Sequence, residues 1–73
     1  LKEQEIVEFL KKENEEFRRL SEEHRNLDEF LVEIDSRRYL TPEEEIERKN
    51  IQKQKLLRKD RMAELIRKYK ESY

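Results

Sequence analysis

The chain has no cysteine, no glycine and no tryptophan, and only one proline, one histidine and one methionine. Without cysteine there are no disulfides and no thiolate metal ligands. Phosphate-cradling loops and dinucleotide fingerprints need glycine, because the backbone must approach the phosphates more closely than a Cβ allows, so both are excluded. No apolar run approaches the roughly 20 residues that cross a bilayer, and no signal-peptide pattern is present. The expectation is a cytoplasmic protein with no membrane contact. The sequence opens on Leu1 rather than methionine, so a few native residues are expected before it.

What the chain does have is charge of both signs. Charged residues make up 51% of it and hydrophobic residues 33%, yet the formal net charge is only -1. Disordered chains combine low hydrophobicity with high net charge, and only the first holds here. Its 73 residues allow one small domain, residues 1–73, with a thin core and a heavily charged surface.

The apolar residues are periodic. Ile6, Leu10, Phe17, Leu20, His24, Leu27, Leu31 and Ile34 follow a three-four spacing, with Glu13 filling the one remaining seam position. Neither proline nor glycine interrupts this stretch, so one long helix is expected over about 3–35. Thr41-Pro42-Glu43-Glu44 then carries three helix-start signals: Thr41 placed to cap, Pro42 at the first helical position, and Glu44 three residues after the threonine. The second helix is expected over about 42–70. The connection, 36–41, is long enough only to reverse the chain, with Tyr39 and Leu40 expected to pack over the turn.

The second helix carries Ile51, Met62, Leu65, Ile66, Tyr69 and Tyr73 on one face, with Lys55 and Arg58 on the same face. Antiparallel arithmetic from the turn sets Leu27 near Ile51, His24 near Lys55, Leu20 near Arg58, Phe17 near Met62 and Leu10 near Tyr69. Both ends of the seam are then dry, and its middle holds His24, Lys55 and Arg58. Polar groups in a seam weaken it but can fix register and partner state. Phe30, Val32, Leu56, Leu57 and Ala63 fall outside the seam. Two helices alone cannot cover them, so they form a candidate association surface.

Charge is divided between the helices. Residues 1–35 carry six Lys or Arg against twelve Asp or Glu, and residues 48–70 carry ten against two. An acidic helix attracts a basic one, and like helices side by side are disfavoured. Exposed pairs add little stability individually, so the division selects partners more than it stabilises.

Little in the sequence points to catalysis. His24 has no thiol near it, and the nearest hydroxyl is Ser21 on the same helix. Paired carboxylates such as Glu22 and Glu23 read as a solvated face, because nothing builds the concave, partly dry pocket that acid–base work requires. No catalytic, metal or cofactor residues are assigned. The basic stretch with Lys49, Lys53, Lys59 and Arg61 is the basis of an alternative reading, a small nucleic-acid-associated protein. Against it stand the interrupting Leu56 and Leu57, the acidic partner helix, and the lack of aromatics for base stacking.

Phe17, His24 followed by Leu27-Asp28, then Gln54-Lys55-Leu56 and Lys59-Asp60 with Met62 resemble the YdcH-like family of small bacterial proteins of unknown function. That family reads roughly N-P-x-F, H-x-x-L-D-x-x-I and K-L-x-L-K-D-E-I, and the resemblance spans about 7–67. Two positions depart from it. Glu15 stands where the family has proline, which favours a continuous first helix, and Arg58 stands where the family tends to have leucine. The resemblance implies a helical hairpin that associates further, with no established activity and no catalytic residues. His24, Asp28, Lys59 and Asp60 match its motif positions, and a structural role suits all four. Asp28 and Lys59, beside the seam on opposite helices, are expected to pair.

Together these readings predict an all-α, coiled-coil-like antiparallel two-helix hairpin, closing as a four-helix bundle in a homodimer. The expected role is non-enzymatic protein–protein interaction, with itself or with an unidentified protein partner.

Overall fold

In the computed structural model, which describes residues 2–72, the chain is all-helical. Three helices follow in order: α1, Glu3–Glu13; α2, Glu15–Asp35; and α3, Pro42–Glu71. Tyr73, expected to end the second stripe, lies outside the described residues. The single helix expected over 3–35 is in fact two, broken at Asn14.

The break has a local cause. Asn14 takes an extended backbone, φ -115 and ψ 111, and its side-chain oxygen accepts a hydrogen bond from the Phe17 N–H at 2.9 Å. A short amide side chain competes with the helix for nearby N–H groups, which is why asparagine starts helices better than it continues them. Lys11 and Lys12 in the last turn of α1, and Glu15 and Glu16 in the first turn of α2, each suit the dipole end they occupy.

The break lets α1 fold back. Glu3 lines one groove with His24, Lys59, Met62, Ala63 and Ile66, while the Phe9 and Tyr69 rings sit 5.1 Å apart. Numbers along α1 and along the end of α3 therefore rise together, so α1 runs beside α3 and opposite to α2. Ile6 and Leu10 from α1, Phe17 and Leu20 from α2, and Leu65 from α3 form the core, with Met62, Ile66 and Tyr69 packed on it.

Cross-helix ion pairs give the direction of α2 against α3. Asp35 meets Arg48, Asp28 meets Lys55, Glu23 meets Arg58, and Glu16 meets Arg61. As the α2 number falls the α3 number rises, so these two helices are antiparallel. The seam positions of α2 behave as their spacing predicts: Phe17, Leu20, Leu31 and Ile34 are buried, and His24 and Leu27 are half-buried.

The start of α3 is firmly fixed. Glu44 N–H donates to Thr41 Oγ1 at 3.1 Å, Thr41 N–H donates to the Glu44 carboxylate at 3.1 Å, and Pro42 occupies the first turn. Arg37 also bonds Glu44 across the turn. Tyr39 does not pack over this turn; it is 83% exposed. Ile34 already closes the seam there, and the first turn of α3 is three glutamates, which leaves no apolar cup for the ring.

Phe17 is fully buried, and truncating such a side chain typically costs about 3–5 kcal/mol. A domain of this size holds only about 4–10 kcal/mol in total. Phe17→Ala is therefore predicted to leave the chain largely unfolded near room temperature by circular dichroism. Thr41→Ala should cost only about 1 kcal/mol and keep a cooperative melt. Equal losses from the two variants would contradict this core assignment.

Candidate association surface

Side chains outside the core fall into a polar middle layer and two apolar flanks. Half-buried His24, Lys55 and Arg58 occupy the middle of the seam. Lys55 Nζ donates to Asp28 Oδ1 at 2.5 Å, so Asp28 pairs with Lys55 and not with Lys59 as expected. Lys55 lies one turn nearer the turn end, level with Asp28 in the antiparallel register. Arg58 is held by Gln54, through the backbone carbonyl at 3.1 Å and the side-chain oxygen at 2.9 Å. Its Nε is enclosed without a hydrogen bond and lies 3.7 Å from the Glu23 carboxylate, an ion-pair distance that is too long for a hydrogen bond. Leucine at that position would bury no such donor, so the layer costs stability.

The remaining cross-helix pairs sit at the edges. Arg61 makes two bonds to Glu16, at 3.0 and 3.1 Å, and reaches Glu64 on its own helix. Arg48 Nε donates to Asp35 at 2.6 Å. Four carboxylates, Asp28, Glu16, Glu64 and Glu44, are held charged by their partners. The Lys55 hydrogen bond, then its charge, pulls Asp28 below its ordinary value of 3.8. The Arg61 hydrogen bond does the same to Glu16, and Arg61 followed by Lys68 to Glu64. Glu44 is lowered first by the Thr41 backbone N–H.

The four cations of the nucleic-acid reading do not share a face. Lys49 and Lys53 are one turn apart and exposed. Lys59 lies in the groove with Glu3 and His24, and Arg61, about 160° around α3 from Lys59, is engaged by Glu16.

The predicted association residues are all solvent-facing: Phe30 is 38% exposed, Val32 64%, Leu56 56% and Leu57 53%. Helical periodicity sorts them into two sets. Phe30 lies two turns after Glu23, and Leu57 one turn before Arg61, so both sit on the flank bridged by those ion pairs. Val32 lies one turn after Asp28 on the other flank. Leu56 lines a groove with Leu31 and Lys55 there, and Ala63, also exposed, is two turns further along. The sequence reading missed Ile46, which is 62% exposed. It stands about three turns from Leu57 and shares its face. That spacing is visible in the sequence but falls outside the seam frame.

No helix among the described residues is long and apolar enough to cross a membrane. No family model matches the chain, and neither a curated protein nor a solved structure is similar to it. The likeness to the YdcH-like family therefore rests on the quoted residues alone.

The lowered carboxylates fix a pH dependence. A carboxyl group with a depressed folded-state value stabilises the fold above its unfolded value, and that contribution is lost as pH falls through the folded value. The melting temperature should hold steady from neutral pH down to the ordinary carboxylate range and fall beneath it. Asp28→Asn should flatten part of that acid slope in thermal melts at stepped pH. An unchanged slope would show that the Asp28 pair does not link α2 to α3.

Proposed function

We propose that this protein is a non-enzymatic interaction module that pairs with a second copy of itself through an apolar flank, placing two α2 and two α3 helices in one bundle. The observation that carries this reading is surface. The chain exposes 5988 Å², whereas a compact monomer of 9.2 kDa should expose about 4,900 Å² by the usual area–mass scaling. Its radius of gyration is 15.1 Å, against about 11 Å for a globular chain of this length. The excess of about 1,100 Å² is more than the roughly 800 Å² that each partner buries in a standard interface.

The flank carrying Phe30, Ile46 and Leu57 is the better candidate, because the other is partly occupied by α1 at Glu3. A two-fold arrangement sets an acidic α2 against the partner's basic α3, the pairing that the charge division favours. The half-buried layer of His24, Lys55 and Arg58 then selects one register, at some cost in stability. The YdcH-like motif order supports the same placement among small hairpin proteins that associate further.

Sedimentation equilibrium tests this reading. The wild type should show a monomer–dimer equilibrium in the micromolar range, and Leu57→Glu with Phe30→Glu should shift it strongly to monomer while keeping helix content. His24→Leu, Lys55→Leu and Arg58→Leu combined should raise the melting temperature and change the association order. A charged double variant that associates as well as the wild type would overturn the flank assignment.

A further inference from the structure

The two breaks in this chain are built differently. At Thr41 a capping box, Pro42 and a six-residue turn all oppose a continuous helix. At Asn14 the only device is one side-chain cap on the Phe17 N–H, and the connection is a single residue with no positive φ. The chain contains no glycine, and its one proline is Pro42. Nothing at Asn14 forbids a helix.

The apolar spacing also ignores the break. Ile6, Leu10, Glu13, Phe17, Leu20, His24, Leu27, Leu31 and Ile34 keep an unbroken four-three alternation through Asn14. A straight helix over α1 and α2 would thus carry one coherent stripe about 42 Å long. Straightening would also pull Ile6 and Leu10 out of the core they complete with Phe17, Leu20 and Leu65. An 11-residue α1 is too short to persist alone in water, so it needs a core of that shape to occupy.

From these observations we infer that Asn14 is an exchange hinge: straightened, it passes α1 to a second copy, whose α2 and α3 receive its Ile6 and Leu10 in place of their own. The occupant fits because the groove is shaped for α1. The direction fits as well. A helix that continues past the start of α2 meets the symmetry mate's α2 in the antiparallel sense that α1 already adopts. Short hinges are a recognised route to such exchange. This inference rests on the self-association reading and names an arm, in addition to a flank, as the exchanged element.

Absence of cysteine makes the test clean. Spin labels at Glu3→Cys and Lys59→Cys in one chain, diluted into excess unlabelled protein, report the distance within that chain. Folded back, the two positions line one groove and the labels should read under about 25 Å. Exchanged, α1 extends past α2 and Glu3 stands about 18 residues of helix from the level of Lys59, so the distance should rise to about 28 Å or more. Asn14→Ala removes the cap, worth about fivefold per hinge. Two hinges straighten per dimer, so the dimerisation constant should rise about 25-fold and the long distance should grow with concentration. Glu15→Pro, copying the Thr41-Pro42 arrangement at an exposed position, should abolish the long distance and leave any flank-mediated dimer intact. Dimers of the wild type and of Asn14→Ala that keep only the short distance would overturn the exchange and leave the flank reading standing. A strict monomer in both proteins at every concentration would overturn both.

Discussion

Phe17 is where the backbone and the core constrain each other. Its N–H is held by Asn14 and its ring is fully enclosed by all three helices. Remove the ring and α1 has nothing to fold onto; remove the cap and α1 has less reason to turn. So much rests on one residue because apolar material is scarce. Among the described residues seven are both apolar and buried, and five of them form the cluster around Phe17. Burial at about 25 cal/mol per Å² over so few side chains leaves a narrow margin against chain entropy.

That scarcity explains the shape. A long α3 of 30 residues sets a molecule 49 Å long but only 19 and 15 Å across, and a rod this thin has little interior. Ion pairs align α2 with α3 and set their register, yet they are exposed and individually weak. Charge therefore chooses the arrangement, the Phe17 cluster holds it, and large apolar residues are left facing water on both flanks.

Much of this was readable from spacing. The seam from Ile6 to Ile34, the capped restart at Thr41, the antiparallel run of α3 and the uncovered Phe30, Val32, Leu56 and Leu57 all follow from periodicity and capping chemistry. The break at Asn14 was not, because the apolar frame passes through it unchanged; the Asn14 cap permits it, and a tertiary gain outside the spacing, the burial of Ile6 and Leu10 with Leu65, favours it. The partner of Asp28 was misassigned for a related reason: Lys55 and Lys59 are one turn apart, and only the register in space selects between them. Tyr39 sits beside the turn in sequence but stands in water, and Ile34 is the buried side chain at that end. Ile46 escaped because it lies off the seam, and its three-turn relation to Leu57 gains meaning only once α2 and Phe30 stand beside it.

The central claim is the proposal that a second copy covers the flanks of this thin fold, so that association adds to its stability. Calorimetric melting across a hundredfold range of protein concentration tests it most directly, since association that favours the native state makes the midpoint depend on concentration. The account predicts a midpoint that rises steadily with concentration. A midpoint that does not move, with light scattering giving the monomer mass of 9.2 kDa throughout, would contradict it.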